Sequence, residues 1–341
     1  MRDPQPLTFR VPDPEGRWTS VRLASDVPVA SRDFERRDGE WVLETQPLRL
    51  QRVEYELEVE HAGGGREWIA DPSHGTRAPG AFGEKSVLEA DGYEPPAWLD
   101  APKIEAGRRE VQLGSAMRRR IRAEVWEPAG SDPGEPLPLL LAHDGPEYDR
   151  LARLGEWAAA MIAAGRLPPF RLVLLPPGDR DNWYSCSEGY ARAFAQVLGP
   201  ALAERVGARG PVAGMGASLG ALAMLHLHRR FPGVLGGLFL QSGSFFTLET
   251  DPQEINFSRF GRITPFVRGV LRTRRFEHPV PVAMTCGAEE ENAANNRLMA
   301  EALARQGYPV DFTENPDMHN YTGWRDTFDP QLTGLLAMLW T

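Results

Sequence analysis

The chain has 341 residues, 42 % of them hydrophobic, enough for two ordinary cores, and no apolar run reaches the about 18 residues that a membrane span needs. Its net charge of −9 sits at the front: residues 1–105 carry 13 basic and 21 acidic side chains, whereas residues 106–341 carry 25 and 26. An acidic front half argues against a nucleic-acid partner, and two cysteines, Cys186 and Cys286, make neither a disulfide framework nor a CxxC metal site. The opening residues lack the basic-then-apolar layout of a secretory signal, so a cytoplasmic protein is expected.

From residue 7 to about residue 89 the pattern is short and period-two. Leu7, Phe9 and Val11, then Val21 and Leu23, alternate with polar residues, Trp41-Val42-Leu43 is a short apolar run, and Val53, Tyr55, Leu57 and Val59 alternate with glutamates. Such runs, broken every 8–12 residues or so by Gly, Pro and Asp, predict an all-β sandwich over residues 1–91. A Pro-rich stretch with Trp98 reads as a linker, 92–105.

Residues 106–341 change texture. A leading hairpin is expected near 110–113 and 120–126. Fully apolar strands then follow at 138–142, 172–175, 211–215, 235–240, 280–286 and 310–313, with helices at 148–164, 188–206, 219–230, 293–306 and 330–340. Apolar strands alternating with amphipathic helices predict an α/β fold with a doubly wound, mostly parallel sheet, whose ligands bind at the carboxyl ends of the strands.

Gly216-Ala217-Ser218-Leu219-Gly220 falls between one of those strands and the next helix, the context of a nucleophile elbow that lifts a serine hydroxyl out of a strained turn. A serine needs a base, so a histidine is expected later in the chain, with an acid between them. His319 follows the last strand, whereas His278 precedes a strand and lies at the wrong end of the sheet. The acid is expected in Glu289-Glu290-Glu291, with Glu290 favoured and Glu291 next, at least one of the three serving the following helix N-terminus instead. Of the two oxyanion donors, one is the backbone N–H of Leu219. The other comes from the loop after residue 142, where Pro146 has no N–H, and is Gly145 or Glu147.

These pieces resemble the enterochelin-esterase-like branch of the α/β-hydrolases. The likeness is carried by His143-Asp144-Gly145-Pro146-Glu147-Tyr148, Arg180-Asp181-Asn182-Trp183-Tyr184, Gly216-Ala217-Ser218-Leu219-Gly220, Gln241-Ser242-Gly243-Ser244-Phe245 and His319-Asn320-Tyr321-Thr322-Gly323-Trp324-Arg325. The front half resembles that family's immunoglobulin-like partner domain, with Gly83-Glu84-Lys85-Ser86 and the Pro-rich linker. The resemblance implies an α/β-hydrolase preceded by a smaller sandwich, catalysis by Ser218 and His319, Arg180 beside the substrate, and hydrolysis of a ferric catecholate siderophore ester.

Tyr148, Trp183, Tyr184 and Trp324 are candidates for an aromatic wall around a planar acyl group, or for ordinary core. Six arginines and no acid lie between Ser258 and Phe276, on a predicted amphipathic helix whose basic face either is solvated or attracts an anionic substrate. His226 and His228 point to different faces of one helix and suggest no metal. The expected protein is thus a serine esterase that needs no cofactor, takes a small-molecule ester, and has neither nucleic acid nor membrane as partner. Two rivals are a carboxylesterase for aromatic or carbohydrate-linked esters and a non-catalytic hydrolase-like binding protein.

Overall fold

A computed structural model describes residues 3–80 and 83–340. Residues 1–2 and 81–82, within the expected sandwich (1–91), and residue 341, the last of the expected hydrolase domain, lie outside the described residues. Two compact units are present. The first comprises the described part of Met1–Pro95 with Gly287–Glu290 and Glu314–Gly323; the second comprises Pro96–Cys286, Glu291–Thr313 and the described part of Trp324–Thr341.

In the first unit, strands β1 (Thr8–Pro12), β2 (Trp18–Ala24), β3 (Glu35–Arg37), β4 (Glu40–Glu44), β5 (Arg52–His61), β6 (Arg66–Ile69), β7 (Arg77–Gly80) and β8 (Gly83–Glu89) form antiparallel sheets in the orders β1-β4-β3 and β2-β5-β8-β7, with β6 also on β5. Their inward positions, Phe9, Val11, Val21, Leu23, Leu43, Val53, Tyr55, Leu57 and Val59, are almost fully buried in one core, and Met318 belongs to that core. The alternation breaks at the start of β5. Arg52 and Glu54, on the face read as polar, are buried along with Val53 and Tyr55.

The second unit is built on β9 (Ala106–Ala116), β10 (Arg119–Pro128), β11 (Leu139–His143), β12 (Arg171–Leu175), β13 (Ala213–Ala217), β14 (Gly237–Gln241), β15 (Val282–Gly287) and β16 (Val310–Asn315), in the order β9-β10-β12-β11-β13-β14-β15-β16. β9, β10 and β12 pair antiparallel, and β12, β11, β13, β14 and β15 run parallel. Every residue of β11 to β14 is buried, which is why these segments read as continuous apolar runs. Chain order reverses on the two sides of β11, so the topological switch point, where sheets of this kind bind ligands, lies at the carboxyl ends of β11 and β13.

Two expected helices differ in form. The run at 148–164 is two helices, Gly145–Ala152 and Leu154–Ala163, because Arg153 takes a left-handed conformation (φ 56°) between them. The run at 188–206 is Glu188–Ala193 and Gly199–Val206 joined by a wide π turn at Phe194–Leu198. Trp98 of the Pro-rich stretch is 3 % exposed and stacks on Phe328, so this stretch is anchored at its centre. Among the described residues no helix is long and apolar enough to cross a membrane.

Candidate active site

β13 leads straight into the helix Leu219–Arg230 through Ser218, whose φ of 56° and ψ of −124° lie far from the ordinary regions for a side-chain-bearing residue. The turn closes because Gly216 has no Cβ: one built there would meet the Gly220 carbonyl carbon at 2.6 Å. The Ser218 N–H bonds Gln241 O at 2.9 Å, which ties the elbow to the end of β14. Ser218 is partly exposed, and its hydroxyl lies 3.0 Å from Ser244 Oγ. Ser244 is itself 2 % exposed, and Asn296 clamps the residue before it, accepting from Gly243 N–H and donating to Gly243 O. From sequence Ser244 is legible only as part of the stretch 241–245 at the end of β14, and Asn296, on the helix Ala293–Arg305, carries no sequence signal.

Leu219 is the first residue of its helix and 6 % exposed. Gly145 opens the helix Gly145–Ala152, with Pro146 second and Glu147 half-buried in the first turn. Gly145 is required by contact: a Cβ there would lie 2.3 Å from Leu174 Cα on β12. The residue before it, Asp144, is left-handed (φ 50°) and buried, and Arg180 grips its carboxylate with Nε at 3.1 and 3.0 Å from Oδ1 and Oδ2 and Nη2 at 2.9 Å from Oδ2. Burial raises the Asp144 carboxyl above the usual range, and the Arg180 guanidinium opposes that rise.

His143 beneath this loop is wholly buried. Its Nδ1 lies 3.1 Å from Gly220 O, which can only accept, so Nδ1 carries the proton and Nε2 accepts from Tyr190 OH at 2.7 Å. Burial lowers this imidazole to about 4, keeping it neutral and fixed as a strut between β11 and the elbow helix.

In the first unit, His319 Nδ1 lies 2.9 Å from Glu290 Oε2, and the other Glu290 oxygen accepts Gly287 N–H at 2.8 Å. His319 is 31 % exposed and Glu290 1 % exposed at the side chain. A Cβ on Gly287 would meet Asp317 O at 2.3 Å, so a glycine lets the two loops approach. The neighbouring glutamates do other things: Glu289 Oε1 accepts from the backbone and Nε of Arg49, and Glu291 is exposed, with Gln253 at 3.4 Å. Asp317 is buried, which raises its carboxyl to about 7 against the pull of Arg52.

The four aromatics named for a substrate wall are interior. Tyr148 is fully buried and donates to Gln241 Oε1 at 2.8 Å, Trp183 stacks on Tyr190, Tyr184 stacks on His143, and Trp324 donates to Ser242 Oγ at 2.9 Å. All four are buried, and these partners brace the loops at the strand ends. The basic segment is the helix Phe260–Arg272, which buries Phe260, Ile263, Val267 and Val270. Arg262 on it bonds the carbonyls of Ser185 and Asn182, fastening the Arg180–Tyr184 turn, and Arg268 pairs with Glu249 at 3.0 Å. His226 lies 3.4 Å from Glu188 while His228 packs against Phe276 and Tyr308, so the two rings diverge. Among the described residues no group of three or more His, Cys, Asp or Glu is arranged to hold a metal ion.

An eight-stranded α/β sheet with a strained serine at its central elbow, preceded by an all-β unit, defines the class: an α/β-hydrolase that is a carboxylic ester hydrolase. The Esterase family model, described as "Putative esterase", matches residues 114–335, and the chain belongs to that family. No curated protein sequence matches it. Among solved structures it is similar to ferric enterobactin esterase from Salmonella typhimurium, with 19 % identity and a TM-score of 0.75 over 98 % of this chain and 93 % of that one. Enterobactin esterase FES from Shigella flexneri, in the presence of enterobactin, gives 18 %, 0.74, and coverage of 100 % and 94 %. A CE1 ferulic acid esterase from Anaeromyces mucronatus, in complex with ferulic acid, gives 16 % and 0.53, covering 74 % of this chain and 95 % of that one. At these identities the likeness is one of fold.

Proposed function

We propose that this chain is a serine esterase whose nucleophile is Ser218, whose base is His319 and whose orienting acid is Glu290. A carboxylate only accepts, so the 2.9 Å bond from Glu290 puts the neutral imidazole's proton on Nδ1 and leaves the Nε2 lone pair to act as base. In the first half-reaction Ser218 Oγ bonds to the ester carbonyl carbon and its proton passes to His319 Nε2. The alkoxide then leaves as the C–O bond breaks and takes that proton. Water repeats the sequence on the acyl-serine, releasing the acid and returning the proton to Ser218. The backbone N–H groups of Leu219 and of Gly145 or Glu147 carry the developing oxyanion, and Arg180 sits beside the substrate.

The observation that carries the reading is the Ser218 backbone conformation, a strain that an ordinary strand-to-helix turn does not need, in a chain of the Esterase family. We infer a catecholate siderophore ester, held in its ferric form, as substrate. In support, the enterobactin esterases resemble this chain over 98–100 % of its length, sandwich included, whereas the ferulic acid esterase resembles 74 % of it. That second likeness is what favours the alternative, an aromatic or carbohydrate-linked ester. Two buried cysteines that form no disulfide accord with a reducing, cytoplasmic setting. The deciding experiment is a hydrolysis screen over a ferric catecholate trilactone, feruloyl and acetyl sugars, and aryl acetates. Preference for the trilactone by kcat/KM is expected; preference for feruloyl sugars would transfer the assignment to the alternative, and no turnover or fluorophosphonate labelling would leave a binding protein.

A further inference from the structure

We propose that Arg49 and Arg52 of the β-sandwich unit are positioning residues for catalysis, holding the loop of His319 and the loop of Glu290 in register. The inference rests on the roles assigned to His319 and Glu290 above.

The two loops, Gly287–Glu290 and Glu314–Gly323, belong to the same compact unit as the sandwich. One short stretch of sandwich backbone fastens both. Arg49 takes the acid loop through three bonds: its N–H and Nε to Glu289 Oε1 at 2.9 and 3.2 Å, and its Nη2 to Ala288 O at 2.9 Å. Two residues on, Gln51 N–H bonds Pro316 O at 2.9 Å in the histidine loop. Arg52 then enters that loop, with Nη1 3.4 Å from Asp317 Oδ2 and 3.5 Å from Asn320 Oδ1, while Nη2 is 2.8 Å from Glu54. Asp317 and Asn320 knit the loop itself: Asp317 Oδ1 accepts from Met318 N–H and from Asn320 Nδ2, and Asn320 Oδ1 accepts from Gly323 N–H. Met318, next to His319, is packed in the sandwich core. His319 therefore has a core residue on one side and a residue of the Arg52 network on the other.

A merely structural reading explains this poorly. Arg52, Glu54 and Asp317 are all buried, and a buried ion network is commonly no more stabilising than apolar residues of the same volume. What it does supply is direction. The catalytic hydrogen bond runs between two loops that meet nowhere in sequence, and a displacement of about 1 Å in such a group costs on the order of 10²-fold in rate.

The test compares Arg49→Met, Arg52→Met and Arg52→Lys with Val21→Ala, a sandwich-core change on β2, whose strand partner is Val59. Readouts are kcat and KM on a neutral aryl acetate, the thermal midpoint, and the His319 imidazole ¹⁵N–¹H resonance, identified by its disappearance in His319→Ala. Arg52→Met is expected to lower kcat by about 10-fold or more and Arg49→Met by several-fold, with KM nearly unchanged and the His319 resonance shifted or broadened. Arg52→Lys should recover part of the kcat, and Val21→Ala should lower the midpoint while keeping kcat. Arg49 is half-exposed, so its variant remains informative if Arg52→Met does not fold. Wild-type kcat and an unmoved resonance in the arginine variants, or an equal kcat loss in Val21→Ala, would overturn the inference while an inactive His319→Ala still supported the catalytic reading. An active His319→Ala would remove that reading, and this inference with it.

Discussion

Glu290 bridges two donors, accepting Gly287 N–H on one carboxylate oxygen at 2.8 Å and facing His319 Nδ1 with the other at 2.9 Å. An amide at this position has one acceptor, so Glu290→Gln must turn its NH₂ toward one of two N–H groups. It either loses the strand-end turn or pushes the imidazole into the wrong tautomer. Turnover should fall by about 10² or more, as when the orienting acid of a triad is amidated. Glu291→Gln, exposed, should leave kcat unchanged, and Glu289→Gln should lower it only modestly through the Arg49 tether. Steady-state kinetics on the three variants decide this; equal and small effects would mean that Ser218 and His319 work without a carboxylate.

Two serine hydroxyls lie within 3.0 Å of each other, so the nucleophile must be distinguished from its neighbour. Ser218 has the strained backbone and the exposure, whereas Ser244 is buried and held by the Asn296 clamp on Gly243. Ser218→Ala should therefore reduce turnover by up to about 10⁶-fold with the fold retained, and Ser244→Ala by no more than about tenfold. Mass spectrometry after fluorophosphonate labelling should place the adduct on Ser218. An adduct on Ser244, or a Ser218→Ala variant of near-full activity, would reject the mechanism.

Local pattern carried much of this architecture. The parallel strands are apolar on both faces and the elbow is a pentapeptide, so both were visible in short windows of sequence. Other features depend on contacts between distant residues. Which of three consecutive glutamates meets His319 is decided partly by Arg49, which occupies Glu289 from 240 positions away. Arg52 and Glu54 alternate with apolar neighbours as a solvent-facing pair would, yet both are buried, because a loop 265 residues beyond Arg52 brings Asp317 to it. Arg153 gives no helix-breaking signal, since arginine is a good helix former, yet it takes a left-handed conformation between the two helices. The four aromatics near the strand ends had motif positions expected of ligand contacts, and burial reassigns them to bracing.

Stability should respond to acid with a sign that the buried groups set. Burial lowers His143, His226 and His228 from 6.5 to about 4. Between those values the unfolded chain binds protons that the native one refuses, so their contribution is full above pH 6.5 and is lost as pH falls toward 4. Asp317 acts oppositely. Burial raises it from 3.8 to about 7, so its contribution is full below 3.8 and is lost as pH rises through about 7. With three imidazoles against one carboxyl, the urea midpoint should fall between pH 6.5 and 4.5, and Asp317→Asn, lacking the opposing group, should show a steeper fall. A flat wild-type profile, or a shallower slope in the variant, would contradict these assignments.

Arg180 has two duties in the proposed mechanism, and one substitution separates them. Its bidentate grip on Asp144 braces the loop that leads into Gly145 and Glu147, and at 36 % side-chain exposure it also offers charge to a ligand. Arg180→Ala should therefore lower kcat for every ester, neutral aryl acetates included, because the oxyanion loop loses its clamp. For a polyanionic catecholate ester it should in addition raise KM by about tenfold, the loss expected for one hydrogen bond to a charged group at a partly exposed site. Salt provides the independent check. A field from Arg180 and from the helix Phe260–Arg272 is screened over about 10 Å at 0.1 M, so kcat/KM for the anionic ester should fall with ionic strength while that for the neutral ester stays level. Arg268 contributes little to that field, being paired with Glu249, whereas Arg262 bonds only the neutral Asn182 and Ser185 carbonyls and keeps its charge. If the two esters respond alike to salt and to Arg180→Ala, the arginine serves only the oxyanion loop, the substrate is not selected by charge, and the aromatic or carbohydrate ester becomes the better assignment.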